Sequence, residues 1–422
     1  MEGIPFARPF MGEEEEAAVL RVLRSGWLTT GKEALAFEAE FSRFLAAVPP
    51  GRAGESPRSL PCLAVNSATS GLHLALEACG VKAGDLVLLP AYTFSSSAEV
   101  VRYLGAQPVF VDLVPGGFHL DSRALEAVLK RLSQGLPPYV SPRGAFGPQG
   151  RAAAVMPVHY GGLPCDMAAI LDIAGRYGLK VVEDAAHSFP SWTPPGYAGT
   201  QVSGYAGTLG HAGVFSFYAT KTLCTGEGGM VVCGSGELAE RISCMRSHGI
   251  DRGVWNRYTD VKASWFYQVV EAGFKYNLPD LLACIGRVQL GRAWALQAMR
   301  EAIAGAYDAA FAGDPHLIIA PTGPGDARHL YPLGLRLETL RIDRDEFASR
   351  LQEGGVGISV HFIPLHTMPY YRKVCGLEPE DLPQTMAAFR REISLPIWPG
   401  MDRAMVQRVI DLVQSTAAYY TA

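Results

Sequence analysis

The sequence predicts an α/β protein built around a mostly parallel β-sheet. From residue 62 to residue 184, short apolar runs alternate with segments of helical periodicity, a pattern typical of βαβ units. Hydrophobic residues make up 48% of the chain and charged residues only 18%, a composition that excludes disorder or a coiled coil over most of the length. A chain of 422 residues exceeds one ordinary core, so two or three structural units are expected.

The elements can be assigned in order along the chain. Apolar residues between Gly12 and Leu45 have helical spacing that SGWLTTG interrupts, which predicts two helices with a loop between them. Strands are then predicted in the runs CLAVN, DLVLLP, PVFVDL, AAVMPVHY and LKVVED. Helices are predicted in TSGLHLALEACG, SSSAEVVRYLG and DMAAILDIAGRYG. Each helix follows a strand, as a parallel sheet requires.

Three irregular stretches interrupt this order. The stretch at 49–61 is rich in Pro, Gly and Ser and lacks periodicity, so it is predicted to be a surface excursion. The stretches at 133–150 and 189–210 have the same character and are predicted to be surface loops. Gly, Tyr and Ser in the last of these would suit contacts to a polar ligand, although a merely solvated insert explains them equally well.

Strand and helix patterns continue beyond the last of these stretches, and a second α/β segment is predicted in the C-terminal part of the chain. Two apolar runs, VFSFY and GGMVVC, flank a Lys- and Gly-containing turn, and a long helical pattern follows Asn277. Strand and helix patterns then resume at about His329. We therefore assign residues 1–290 to an N-terminal arm and large domain, and residues 291–422 to a smaller C-terminal domain.

Charge and cysteine usage limit the partners and the compartment. The formal net charge is −4, with 37 Lys and Arg and 41 Asp and Glu scattered along the chain, so neither nucleic acid nor a membrane surface is expected to bind. No apolar run reaches the roughly 18 residues of a membrane-spanning helix, and the first residues lack the features of a secretory signal. The eight cysteines include no CxxC pair. Reduced thiols and a cytoplasmic location are therefore expected.

Three strand-to-helix junctions carry polar side chains where open α/β sheets bind ligands. Ser67, Ala68 and Thr69 precede a helix whose free N–H groups favour a phosphate. Asp184 ends the strand of LKVVED, where a carboxylate can pair with a buried cation or orient a ring nitrogen. Lys221 follows an aromatic strand, and a lysine beside a desolvated pocket is a candidate nucleophile for Schiff-base chemistry. For each junction taken alone, an ordinary structural role is the commoner explanation: a helix N-cap for the first, a hydrogen-bonded core acid for Asp184 and a solvated loop lysine for Lys221.

Two other motifs do not support the chemistry they suggest at first. GWLTTGKE matches G-x-x-x-x-G-K, but Glu33 stands where a P-loop has Ser or Thr, and a helix rather than a strand precedes it. His361 and His366 in HFIPLH have no partner at metal-ligand spacing, and HExxH is absent from the sequence. Neither a nucleotide-triphosphate site nor a zinc site is expected.

The motifs in combination identify a family. The chain contains, in order, IPFARP, SGWLTTG, NSATSGLHLAL, PAYTFSSSAEV, PVHYGGLPCDM, VVEDAAHS, FSFYATKTLCTGEGG, GFKYNLPDLLACIGRVQL, HFIPLH and SLPIWPGM. It thereby resembles, nearly end to end, the DegT/DnrJ/EryC1/StrS family of sugar aminotransferases. The resemblance implies the fold of a fold-type I pyridoxal-phosphate (PLP) enzyme, PLP as cofactor, and a homodimer whose active sites combine residues of both chains.

The resemblance also implies roles for three residues around the cofactor ring. Lys221 matches the lysine that holds PLP as an imine and then shuttles a proton. Asp184 matches the aspartate that pairs with the pyridine nitrogen, which keeps that nitrogen protonated and the ring electron-withdrawing. His187 stands where many relatives have Gln, facing the phenolic oxygen of the cofactor.

Further positions match the phosphate and stacking contacts of the family. Ala68 and Thr69 match the phosphate-binding turn, and Ser216 matches a serine that contacts the phosphate. Phe94 stands where an aromatic ring stacks on the cofactor.

One segment departs from the commoner family pattern. Many relatives read G-[FY]-N-Y-R where this chain reads GFKYN, so the resemblance implies that either Lys275 or Asn277 reaches the cofactor phosphate of the partner subunit.

The implied activity is transfer of an amino group from glutamate or a similar donor to a keto group of a nucleotide-activated sugar. One alternative is a family relative acting on a cyclitol or an aminobenzoate-type ketone. Another is a PLP-binding regulator without turnover. Lys221 argues against the regulator, and against the sugar dehydratases of the family, which carry His at this position.

Overall fold

The computed structural model describes residues 3–50, 58–142, 144–196, 202–251 and 267–422. Its strands are β1 (Cys62–Val65), β2 (Leu86–Pro90), β3 (Gln107–Val111), β4 (Tyr139–Ser141), β5 (Gly144–Phe146), β6 (Ala152–Val155), β7 (Lys180–Asp184), β8 (Trp192–Thr193), β9 (Gly204–Tyr205), β10 (Ala212–Ser216), β11 (Gly229–Cys233), β12 (Leu317–Ile319), β13 (Tyr331–Leu335) and β14 (Glu392–Leu395).

Helices flank these strands throughout the described ranges. They are α1 (Glu13–Ser25), α2 (Lys32–Leu45), α3 (Ala68–Ala78), α4 (Ser95–Tyr103), α5 (Ser122–Ser133), α6 (Met167–Tyr177), α7 (Gly236–Met245), α8 (Asp280–Gly291), α9 (Ala293–Phe311), α10 (Arg344–Glu353), α11 (Pro369–Cys375), α12 (Pro383–Arg391) and α13 (Arg403–Tyr419). The alternation predicted between residues 62 and 184 is confirmed. None of the described helices combines the length and hydropathy needed to cross a bilayer.

Seven strands form the main sheet, in the spatial order β1, β11, β10, β7, β6, β2, β3. Strands β10, β7, β6, β2 and β3 are parallel neighbours, whereas β11 runs antiparallel to both β1 and β10. The prediction of a mixed, mostly parallel sheet is therefore confirmed. Because six strands share one direction, their carboxyl ends meet at one edge of the sheet, where ligands bind in such folds.

Helix α3 reaches this edge because of its first residues. The Ser67 hydroxyl accepts a hydrogen bond from the Ser70 N–H at 3.1 Å and caps the helix. The helix packs unusually close to the sheet, since a Cβ at Gly71 would lie 2.7 Å from the Val214 side chain. The cap and the close packing together fix the N-terminus of α3 beside the end of β10.

An aromatic cluster packs helices α2 and α8 against the sheet. The rings of Phe37, Phe41 and Phe217 have centroids between 5.3 and 6.0 Å apart, and all three side chains are fully buried. Gly286 of α8 makes room for them, because a Cβ there would lie 2.6 Å from the Phe37 ring. This packing anchors the segment that follows β10, which carries Lys221.

A second core lies on the antiparallel sheet β12–β13–β14. Helices α9, α10 and α13 cover it with buried side chains such as Phe311, Leu351 and Val409. Residues 365–382 lie outside this core and pack on the main sheet, with Tyr371 buried there. The domain boundary between residues 290 and 291 stays a prediction.

The N-terminal arm runs along the second core. The Ile4 N–H donates to the Gly355 carbonyl at 2.8 Å, and the Trp398 indole donates to the Pro5 carbonyl at 3.0 Å. The arm then brings Phe6 beside His361, with ring centroids 5.3 Å apart. The arm therefore reaches the region where the two cores meet.

The prediction of surface loops at 133–150 and 189–210 is wrong for the paired strands within both stretches, although most residues at 133–150 are exposed or half-buried. Strands β4 and β5 form a hairpin, and Tyr139 is buried with its hydroxyl accepting from the Phe110 N–H at 2.7 Å. Strands β8 and β9 pair, and the rings of Trp192 and Tyr205 are buried with centroids 4.9 Å apart. Burial of large aromatic residues outweighs the Pro and Gly content. The prediction for 49–61 falls largely outside the described residues.

Candidate active site

A cavity of about 680 Å³ lies at the carboxyl edge of the main sheet, between the two cores. Loops after β1, β2, β7 and β10 line this cavity together with residues 359–362 of the C-terminal part. Seven of the residues predicted from sequence line this cavity: Ala68, Thr69, Phe94, Asp184, His187, Ser216 and Lys221. The fold thus brings together side chains that are up to about 150 positions apart in the sequence.

Lys221 lies on a loop that is stabilised by hydrogen bonds within its own backbone. The Phe217 N–H donates to the Gly228 carbonyl at 2.9 Å, and the Lys221 N–H donates to the Tyr218 carbonyl at 2.9 Å. Burial lowers the pKa of the Lys221 amine to about 8, although the charge of Asp184 opposes this shift. A lowered pKa leaves part of the amine neutral, and nucleophilic, close to physiological pH.

Asp184 ends β7 and is held by two donors. The Ser97 hydroxyl donates to Oδ2 at 2.7 Å and the Ala186 N–H donates to Oδ1 at 3.1 Å. Thr93 in turn lies 2.8 Å from the Ser97 hydroxyl, so a chain of side chains orients the carboxylate. Burial raises the pKa of Asp184, whereas the two hydrogen bonds and the charge of Lys221 act in the opposite direction. Such a carboxylate can pair strongly with a protonated ring nitrogen.

The turn before α3 has the features of an anion site. Within the part of the chain that the structure describes, the N–H groups of Ala68 and Thr69 donate to no acceptor. The turn rests directly on β11, where a Cβ at Gly229 would lie 2.8 Å from the Ala68 nitrogen. Ser216 ends the neighbouring strand and lines the same cavity. Free N–H groups, a helix N-terminus and a hydroxyl together suit a phosphate.

His187 and Phe94 flank the cavity with flat rings. The Gly161 N–H donates to His187 Nδ1 at 3.3 Å, which places the ring proton on Nε2. Burial and the charge of Lys221 lower the pKa of His187 well below its usual value, so the ring is neutral. Phe94 is 61% exposed, and its ring centroid is 6.3 Å from that of Phe362. An exposed aromatic face at a cavity mouth can stack on a bound ring.

Several functional side chains were not identified from sequence. Thr93 and Ser97 orient Asp184, but nothing in PAYTFSSSAEV distinguishes them from helix-capping residues. His329 and His361 line the cavity beside His187, and the ring centroids of His187 and His329 are 4.5 Å apart. Of these two histidines, only His361 lies in one of the family motifs, HFIPLH. Among the described residues, no group of three or more His, Cys, Asp or Glu could hold a metal ion.

Lys275 and Asn277 do not line the cavity of their own chain. Lys275 is exposed, and its carbonyl accepts from the Asn66 side chain. Asn277 is buried beside β1, bridges to Val65 and hydrogen bonds to Thr30 of the SGWLTTG segment. The structure therefore gives no support for a role of either residue at a cofactor phosphate in its own chain.

The described residues fit PLP. The unpaired N–H groups of Ala68 and Thr69 suit its phosphate, and the buried Asp184 carboxylate suits its pyridine nitrogen. The partly neutral amine of Lys221 suits its aldehyde. These three groups surround one cavity, so a single molecule of PLP could engage all of them.

Comparisons with known proteins place the chain in a family. The model of the DegT/DnrJ/EryC1/StrS aminotransferase family matches residues 9–414. The chain is 39% identical to the spore coat polysaccharide biosynthesis protein SpsC of Bacillus subtilis over 415 residues, which cover 97% of this chain and 96% of SpsC.

Solved structures give the same result for the fold. PseC of Helicobacter pylori, an aminotransferase involved in the biosynthesis of pseudoaminic acid, has a TM-score of 0.82 and 25% identity, with 99% of this chain and all of PseC covered. The PLP form of Spr1654 from Streptococcus pneumoniae also has a TM-score of 0.82 and 25% identity, with 99% of each chain covered. The predicted fold-type I architecture and the predicted cofactor, PLP, are confirmed.

Proposed function

The chain belongs to the DegT/DnrJ/EryC1/StrS aminotransferase family, and we propose that this PLP-dependent enzyme moves an amino group from glutamate, or a similar donor, to a keto group of a nucleotide-activated sugar. The observation that carries the proposal is one cavity that combines Lys221, Asp184 and an open helix N-terminus with a wall of neutral imidazole and aromatic rings. All eight cysteines are free, which suits the reducing cytoplasm as the place of the reaction.

Each residue has a definite task in this reaction. PLP supplies a carbonyl that takes up the amino group and a ring that withdraws electrons from the reacting carbon. The N–H groups of Ala68 and Thr69, with Ser216, would hold the phosphate, and Asp184 would hold a proton on the ring nitrogen. With PLP bound, the Lys221 amine would be placed to take a proton from one atom of the substrate and return it to another.

The cavity wall supports a sugar as the acceptor. In the described part of the chain, Lys221 is the only Lys or Arg that lines the cavity. A keto acid is usually gripped at its carboxylate by an arginine, whereas sugar hydroxyls bind neutral donors and acceptors. Burial lowers the pKa of His187, His329 and His361, so all three rings are neutral. Phe362 adds an apolar face to this wall.

Single-turnover kinetics test the acceptor. The enzyme is first converted by glutamate to its pyridoxamine form, and then mixed with 3-keto or 4-keto nucleotide sugars, or with pyruvate or oxaloacetate. We expect a keto sugar to restore the absorbance of the PLP form faster than either keto acid at equal concentration. Faster recovery with a keto acid would contradict the sugar assignment while leaving a general aminotransferase.

We further propose a homodimer with shared active sites, supported by the position of Lys275 and Asn277 outside their own cavity. Mixing Lys221→Ala with Lys275→Ala or Asn277→Ala, each inactive alone, should regenerate roughly a quarter of wild-type activity after subunit exchange. Half of the dimers are then hybrids, and each hybrid contains one intact site.

A matched pair controls this experiment. Lys221→Ala and Asp184→Asn alter the same site of the same chain, so their hybrids contain no intact site and should stay inactive. Equal recovery in both mixtures, or an active monomer in sedimentation, would contradict shared sites.

A further inference from the structure

His361 lies on a loop, but hydrogen bonds hold both its backbone and its ring in place. Its N–H donates to Glu392 Oε2 at 3.0 Å, and its carbonyl accepts from the Tyr160 hydroxyl at 2.6 Å. Its ring Nδ1 lies 2.9 Å from the Ser394 hydroxyl. The ring lines the cavity, and among the described residues Nε2 has no hydrogen-bond partner. Nε2 is therefore the ring atom available to a ligand.

A buried carboxyl lies at the far end of these contacts. Glu392 and Ser394 are two residues apart on β14 and so project from the same face of the strand. The Ser394 hydroxyl is 2.5 Å from Glu392 Oε1, and the two residues are 0% and 1% exposed, respectively. The result is a continuous hydrogen-bonded chain from the cavity through His361 and Ser394 to a carboxyl that solvent does not reach.

This chain has two possible proton arrangements. When Glu392 is ionised, Ser394 donates to it and His361 Nδ1–H donates to Ser394, so Nε2 is an acceptor towards the cavity. When Glu392 is protonated, it donates to Ser394, which donates to Nδ1, so Nε2–H is a donor. His361 is neutral in both, because burial and the charge of Lys221 lower its pKa to about 4.

We propose that His361, Ser394 and Glu392 form a proton relay between the reacting groups and a buried carboxyl. A proton arriving at His361 Nε2 releases the Nδ1 proton to the Ser394 oxygen, whose own hydrogen passes to Glu392 Oε1. The N–H bond at Nδ1 and the O–H bond at Ser394 break, and one N–H and two O–H bonds form. Glu392 becomes neutral, His361 stays neutral, and the reverse sequence returns the proton to the cavity.

The surroundings of Glu392 allow its carboxyl both to accept a proton and to return it. Burial raises the pKa of Glu392 to about 8, although hydrogen bonds from Ser394 and His361 and the charge of Arg344 lower it. The other ionisable side chains that interact with it are Tyr92 and Tyr160. A carboxyl that titrates near neutral pH can both accept and return a proton during turnover.

The use of this relay in catalysis depends on the proposed function. Exchange of a keto oxygen for an amino group moves protons from nitrogen to the oxygen that leaves as water. A group that accepts a proton and gives it back at the C-terminal wall of the cavity would serve this transfer alongside Lys221. The relay itself is a property of the protein and can be tested without turnover.

The test is the tautomer of His361, measured by long-range ¹H–¹⁵N NMR on ¹⁵N-histidine-labelled full-length protein with PLP bound. In wild type we expect Nε2–H at pH 6.5 and Nδ1–H at pH 9.5, with a midpoint within about one unit of pH 8. Glu392→Gln keeps an acceptor for the His361 N–H and an amide donor for Ser394, so Nε2–H should persist at every pH. Glu346→Gln, on an exposed face of α10, should behave as wild type.

A second variant covers the possibility that Glu392→Gln does not fold. Ser394→Ala leaves the contact between Glu392 and the His361 N–H but breaks the chain to the ring, so the tautomer should no longer follow the Glu392 titration. A tautomer that is constant with pH in wild type, or that switches equally in Glu392→Gln or Ser394→Ala, would overturn the relay. Failure with every keto sugar in single turnover would instead affect only the proposed substrate.

Discussion

Lys221→Ala should lower the turnover number by roughly 10⁴-fold, the upper range for loss of a catalytic acid or base. The variant loses both the amine that reacts with the carbonyl of PLP and the group that moves protons within the cavity. PLP should still bind noncovalently, because the turn before α3 and Asp184 are unchanged. Steady-state kinetics with glutamate, together with cofactor retention after gel filtration, measures both effects.

An exposed lysine provides the matched control. Lys130→Ala removes an amine from the solvent face of α5 and should leave turnover near wild type. If Lys221→Ala kept more than about a tenth of wild-type activity, Lys221 could not be the essential amine.

Asp184→Asn should lower turnover by about 10² to 10³-fold, a typical loss when one preorganised partner of developing charge is removed. The amide is nearly isosteric but cannot stabilise a protonated ring nitrogen. Folding should be little affected, because the Ser97 hydroxyl can rotate to accept from the amide and donate to Thr93 instead. Kinetics and the midpoint of thermal unfolding, measured on one preparation, separate catalysis from stability.

A carboxylate on the protein surface controls for the loss of charge. Asp172 lies on α6 with a side chain that is 68% exposed, and Asp172→Asn should change neither quantity appreciably. A well-folded Asp184→Asn protein with near wild-type transamination would refute the assigned role.

Local sequence patterns predicted much of the fold and part of the site. Alternating apolar runs between residues 62 and 184 place β1, β2, β3, β6 and β7 correctly, because strand and helix periodicity are local properties. Asp184 and Lys221 could be singled out since each follows a strand, where ligands bind in open sheets. Their roles as a pair came from the family motifs, because neither residue alone differs from an ordinary acid or lysine.

The parts that sequence reasoning missed depend on long-range contacts. Ser97 orients Asp184 across 87 positions, and Tyr160 contacts the carbonyl of His361 across 201 positions. No periodicity encodes such pairs. The prediction of a surface loop at 189–210 was wrong in part for a related reason. Its Pro and Gly residues indicate a loop, but Trp192 is buried through contacts with distant residues. Its described residues do not line the cavity, so they give no support for a ligand-binding role.

The proposed function requires that PLP is bound, and that transamination occurs, in the cavity around Lys221. Borohydride reduction of the PLP-loaded protein, followed by proteolysis and mass spectrometry, tests this claim most directly. We expect a pyridoxyl group on Lys221, in the peptide containing FYATKTLCTGEGG, and none after prior conversion to the pyridoxamine form by glutamate. A label on another lysine, or no label on any peptide, would contradict it.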